Sequence, residues 1–170
     1  MNEAQFWNLI DTTLQGSPDN TDEQAEVLRA LLAGLTPDEV LEFHRLLVAA
    51  NHQLYTWDHI AAVNLVDEGL GDDGFTDFRT WIVATGRESF AAFRDDPDTL
   101  VDILDRLGWD SAEVFGAVAA EVYRDTTGRE IWEDGAPPIE PGTPPTGSAE
   151  IVHDRAVQQQ RFPRLTARHS

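Results

Sequence analysis

Apolar side chains recur every third or fourth residue through most of the first 130 positions, the spacing of helices that each bury one face. Phe6, Trp7, Ile10 and Leu14 share one side of a first helix that ends before Gly16-Ser17-Pro18. Thr21-Asp22-Glu23-Gln24 has the form of a capping box, in which the Thr21 oxygen accepts a backbone N–H and Gln24 reaches back. It predicts a second helix with Ala25, Leu28 and Leu32 inward, stopping at Gly34. Thr36-Pro37-Asp38-Glu39 repeats the device with proline at the first helical position, where its missing N–H costs nothing. Val40, Phe43, Leu47, Ala50 and Leu54 then form the cleanest amphipathic stripe in the chain.

A fourth helix opens at Thr56 and runs through Ile60, Ala61 and Leu65, with Val63 and Val66 on its other side, a pattern of cover on two faces and a central position. Asp72-Asp73-Gly74 starts a fifth, carrying Phe75, Phe78 and Ile82 as far as Gly86. Residues 87–94 make a short helix, and Asp96-Pro97 caps another with Leu100, Ile103 and Leu104. Asp110 or Ser111 caps a last long helix, in which Val114, Phe115, Val118, Ala119, Val122 and Tyr123 form a broad buried stripe. No convincing period-2 run occurs. The expected fold is all-α, a compact bundle of about seven or eight helices.

Composition divides the chain. Residues 1–136 hold 28 acids against 8 arginines, whereas 137–170 hold Glu140, Glu150 and Asp154 against Arg155, Arg161, Arg164 and Arg168. The expected organisation is an acidic helical domain over 1–134, a Pro/Gly-rich linker over 135–149, and an arginine-containing tail over 150–170. Phe162-Pro163-Arg164-Leu165 sets two apolar side chains among the tail arginines, so the tail is either docked on the acidic body or solvated.

The 170 residues include no cysteine, all 12 basic residues are arginine, and the formal charge is -19. That excludes a P-loop lysine, a pyridoxal-phosphate Schiff base, a Lys–Glu kinase pair, a thiolate nucleophile, an Fe–S cluster and a zinc–thiolate site. A chain this acidic repels a phosphate backbone, so no nucleic-acid partner is expected. No apolar run is long enough to cross a membrane and the first residues show no secretory pattern, so the expected location is cytoplasmic, with no membrane contact.

Candidate chemistry concentrates between residues 57 and 88, in Trp57, Asp58, Asp72, Asp73, Arg79, Trp81 and Arg87. Arg79 lies on the flank of the Phe75/Phe78/Ile82 stripe, so its guanidinium must snorkel to water or meet a carboxylate, with Asp58, Asp72 and Asp73 the candidates. Together these residues could line a small polar pocket. The simpler reading, and the favoured one, makes the aspartates helix-start charges and Arg79 a tie between two helices. His44 and His52 lie about 80° apart round one helix and lack metal-ligand spacing, so these and His59 read as solvent-facing or capping histidines. Asp67 to Gly74 has glycine at calcium-ligand positions and is no EF-hand loop. No metal and no cofactor is implied.

Asp72-Asp73-Gly74-Phe75, Phe78-Arg79-Thr80-Trp81-Ile82-Val83 and Gly86-Arg87-Glu88, with Trp57-Asp58, Asp96-Pro97-Asp98 and Glu3-x-x-Phe6-Trp7, resemble the hallmark of the bacterial domain of unknown function 4240 family over about residues 1–125. The family pattern reads Phe-Arg-Gly-Trp-Leu-Ile, and Thr80, Ile82 and Val83 depart from it here. Phe162-Pro163-Arg164-Leu165 is similar to the close of many such chains. The resemblance implies a bacterial, mostly helical protein and no particular activity.

Two functional expectations follow. The first is a non-enzymatic, acidic interaction module whose partner is a basic protein. The second is a small-molecule binding or catalytic site built from the seven residues between 57 and 88, which requires Arg79 and at least two aspartates to converge on one pocket. The oligomeric state is open.

Overall fold

The computed structural model describes residues 1–168. Ten α-helices form the fold of the described residues: α1 (Glu3–Gly16), α2 (Thr21–Ala33), α3 (Pro37–Gln53), α4 (Trp57–Asn64), α5 (Asp72–Ala84), α6 (Arg87–Asp95), α7 (Leu100–Leu107), α8 (Glu113–Thr127), α9 (Arg155–Arg161) and α10 (Pro163–Arg168). The only β-type pairing among them is a single bridge between Thr56 and Thr146. The eight helices read from the first 130 residues are α1–α8; the tail adds two more.

Local chemistry sets the boundaries. At α3 the Thr36 oxygen accepts the Glu39 N–H, and the Glu39 carboxylate accepts the Thr36 N–H at 2.9 Å, as the sequence predicts. At α2 the cap is Asn20 rather than Thr21, its Oδ1 accepting the Glu23 N–H at 3.0 Å. The Thr21 hydroxyl turns away to donate to Asp110 at 2.8 Å, and Gln24 donates to the Ser17 carbonyl at 2.8 Å. A carboxylate brought in by the fold is the stronger acceptor, and only the tertiary structure supplies it.

The central helix is α5, not α4. Every residue from Phe75 to Ala84 except Asp77 is buried, and α1, α2, α3, α6 and α8 all pack on it. Its buried hydroxyls are satisfied internally; Thr80 Oγ1 donates to the Thr76 carbonyl at 3.0 Å and lies 3.2 Å from Asn51 Oδ1. Where α8 crosses, a Cβ at Gly116 would stand 3.3 Å from Thr80 Cγ2, so the bare glycine lets the two helices approach. On α8, Phe115, Val118, Ala119, Val122 and Tyr123 are buried as expected, but Val114 faces solvent, because a stripe this wide outruns the surface available to cover it.

The Pro/Gly-rich span carries no helix from 135 to 148 and is held to the body as a strap. His44 Nε2 lies 3.0 Å from the Pro137 carbonyl and His52 Nε2 3.1 Å from the Ile139 carbonyl. Further on, the Trp57 N–H donates to the Thr146 carbonyl at 2.9 Å. Prolines carry acceptors and no N–H, so imidazole donors from α3 are apt partners for such a segment.

The tail is docked. Ile151, Phe162 and Leu165 are buried, Arg161 pairs with Asp58 at 2.8 Å, and Arg164 and Arg168 pair with Asp102 and Asp105 of α7. The last two residues of the expected tail lie outside the described residues.

Candidate functional site

Burial and hydrogen bonding, rather than proximity in sequence, decide the fate of the seven candidates. Trp57 opens α4, half-buried and bound to the strap through its N–H. Asp58 accepts two bonds from Arg161, at 3.0 and 2.8 Å. Asp72 and Asp73 are exposed in the first turn of α5, which carries no side-chain cap. Trp81 is buried edge-on to Phe78 and Trp109, at 5.2 and 5.3 Å between ring centres. Arg87 is exposed, its backbone N–H donating to Asp11 at 3.1 Å. The seven do not converge on one pocket.

Arg79 neither snorkels to water nor meets a carboxylate; it ties α5 to α3. Its side chain is 0% exposed and, among the described residues, meets no carboxylate at contact distance. The guanidinium lies 4.9 Å from the Tyr55 ring centre and 5.1 Å from that of Phe75. Nη1 donates to the Asn51 carbonyl at 3.2 Å and Nη2 to Thr76 Oγ1 at 2.7 Å, while Nε has no partner among the described residues. Burial pushes its pKa down, and the Glu140 carboxylate on the strap acts in the opposite direction. Two ring faces and two oxygens stand in for the missing counter-ion.

A cleft of about 910 Å³ opens in front of this network, between α3, α5, α8 and the strap. One wall is hollow because Gly116, Ala117 and Ala120 of α8 have nothing beyond Cβ to fill it. Ile131, Trp132 and strap residues Ala136 to Ile139 complete an apolar lining, and Trp132 is 64% exposed. Asp73 and Asp77 of α5, Glu113 of α8 and Glu140 of the strap are the charged residues of the cleft, and no arginine among the described residues lines it. Of the seven candidates, only Asp73 borders the cleft.

Asp77 ties the cleft to the fold. Its Oδ1 accepts the Ala112 N–H at 2.8 Å at the start of α8, the role expected of Asp110 or Ser111. Burial pushes its carboxyl above the usual range; bonds from Ser111 and Ala112 oppose the rise, and the nearby charges of Glu113 and Asp110 add to it. Asp77, Glu113, Glu140 and Trp132 escaped the sequence reading. The available signals were the four-residue spacing of Asp73 and Asp77 and a tryptophan in the acidic stretch Glu130-Ile131-Trp132-Glu133-Asp134.

The histidines are structural. His44 and His59 are buried rather than solvent-facing, and burial lowers the pKa of both. A carbonyl only accepts, so Nε2 of each carries the proton, toward Pro137 in one case and Phe93 in the other. Nδ1 of His59 faces Thr56 Oγ1 at 2.7 Å; Nδ1 of His44 is buried without a partner among the described residues. Among the described residues, no three acidic or histidine side chains are grouped to hold a metal ion.

The fold and its cleft define an acidic, all-α protein with an open, carboxylate-rimmed hollow. The chain belongs to the family described as "Protein of unknown function (DUF4240)", whose model matches residues 1–125. That stretch takes in α1 to α7 and most of α8 and leaves out the strap and tail. No curated protein and no solved structure matches the chain. No helix of the described residues is long and apolar enough to cross a membrane.

Proposed function

We propose that this protein is a binding module that takes a basic segment of a partner protein into the cleft between α3, α5, α8 and the strap. One observation carries the reading: an apolar hollow bordered by Asp73, Asp77, Glu113 and Glu140 is lined by no arginine among the described residues. Eight of the other arginines are paired with carboxylates elsewhere on the molecule. A lysine or arginine flanked by apolar side chains relieves the crowding of like charge and covers Trp132, a residue type common at the centre of interfaces. The proposed setting is bacterial and cytoplasmic, which suits a chain without cysteine.

The test is calorimetric titration with a synthetic peptide alternating arginine and leucine. Binding at ~50 mM salt that weakens at ~500 mM, and is lost in Asp73→Asn/Glu113→Gln but kept in Glu26→Gln, supports the reading. Absence of binding at low salt, or equal loss in all variants, defeats it. A second reading is favoured by the cleft volume, which lies in the range of small-molecule pockets: an apolar organic amine as ligand. A thermal-shift screen of such amines separates the two. A site assembled from the residues between 57 and 88 draws no support from their dispersal.

A further inference from the structure

Away from the residues that line the cleft, Asp98, Asp102 and Asp105 recur at intervals of four and three, on one face running from the Pro97–Thr99 turn into α7. Facing them, Arg161, Arg164 and Arg168 recur at intervals of three and four along the tail. The two ladders mesh: Arg164 pairs with Asp102 and Arg168 with Asp105, while Arg161 reaches Asp58 at the start of α4. Asp98 does something different. Its side chain accepts the backbone N–H groups of Arg164 at 3.1 Å and Leu165 at 2.9 Å, although it is only 5% exposed. Phe162 and Leu165 are fully buried beside it.

We propose that the groove formed by α4, the Pro97–Thr99 turn and α7 is a peptide-recognition surface that the chain's own tail occupies, and that it accepts in trans a partner segment of Phe-Pro-Arg-Leu type with a further arginine one turn on. It is separate from the cleft and does not rest on the reading given for it. Phe162 and Leu165 join the hydrophobic core, yet two features fit a segment that docks like a ligand. α9 and α10 are seven and six residues long, too short to hold helical shape alone, so the segment folds as it docks. The contacts follow the division of labour at peptide sites: two apolar anchors and a buried carboxylate on the backbone hold the segment, and exposed ion pairs set its register.

Tethering gives the tail an effective concentration on the order of millimolar, so an outside segment competes only when the tail lets go. The test uses the full chain carrying Phe162→Asp and Leu165→Asp, which undocks the tail, and a fluorescent peptide of residues 149–168 as probe. The peptide is expected to bind this variant saturably, at least ~10-fold more tightly than the unaltered chain. Adding Asp98→Ala to the variant is expected to remove the binding. Equal affinity for both chains, or none for a folded double variant, overturns the proposal. Native-state hydrogen exchange on the unaltered chain decides the matter even if the variants fail to fold. The Arg164 and Leu165 amides are expected to exchange through local opening, at least ~10-fold faster than those of α5. Exchange in step with α5 would make the tail inseparable from the core and end the proposal.

Discussion

The guanidinium of Arg79 is stacked 4.9 Å from the ring of Tyr55, and it is this pairing, completed by Phe75, that lets α5 carry a charge through the middle of the fold. Arg79→Ala leaves a large void and strands the Asn51 carbonyl and Thr76 hydroxyl, so a loss of about 3 kcal/mol is expected. Arg79→Met keeps most of the volume and removes a desolvated charge, so it is expected to cost less than half as much. Urea unfolding of the two variants checks this. Equal losses would mean that the hydrogen bonds, not the volume, dominate.

Acid is expected to destabilise the protein in two stages. His44 and His59 have pKa values lowered by burial, so above about pH 6.5 both are neutral, folded or unfolded, and contribute no pH dependence. As pH falls below that value the unfolded chain binds protons that the fold refuses, and stability declines, by up to about 1.4 kcal/mol per pH unit for each histidine. Asp77, with its carboxyl pushed up, works the other way as it protonates. Glu39, Asp95 and Asp102, held below the usual carboxylate range, contribute stability that is lost only lower, as pH falls through about 4 and beneath. Urea midpoints from pH 8 to 5 measure the first stage. His44→Gln, which can still donate to Pro137, is expected to flatten it.

The helices were legible because their causes are local. The Thr36–Glu39 box, the apolar stripe from Val40 to Leu54 and the turn at Gly86 all act within a few residues. What covers each face was not. Arg79 is 24 residues from Tyr55, Asp77 is 35 from Ala112, and Pro137 is 93 from His44, so neither periodicity nor composition announces these partners. The seven candidates were linked by nearness along the chain, and helices separate such neighbours onto different faces. The cleft is defined instead by what α8 lacks at Gly116, Ala117 and Ala120, and by a strap whose composition reads as linker.

Gly86 is a position where the backbone itself demands glycine. Its φ of +95° lies in a region closed to other residues, and a Cβ there would meet Asp11 Oδ1 at 2.9 Å and Leu14 Cδ2 at 3.0 Å. Asp11 is fixed in turn by the Arg87 N–H at the start of α6. Gly86→Ala is therefore expected to cost about 3 kcal/mol. Gly16→Ala, with nothing within 4 Å of the new carbon, is expected to stay within about 0.5 kcal/mol of the parent, and thermal melts of the pair provide the comparison.

The cleft can be closed without disturbing the fold. Ala117 is half-buried on the hollow wall of α8, so Ala117→Leu projects four carbons' worth of side chain into open space on a helix that tolerates leucine well. Stability is expected to stay within about 1 kcal/mol of the parent, since added apolar contact offsets the ordering of a larger side chain. Gly116→Ala, one residue earlier, drives its methyl to 3.3 Å from Thr80 Cγ2 and is expected to lower stability instead. If the cleft holds a basic segment, Ala117→Leu abolishes calorimetric binding of the arginine–leucine peptide while the melting temperature is kept. Undiminished binding by a well-folded Ala117→Leu protein would move the recognition surface away from α8.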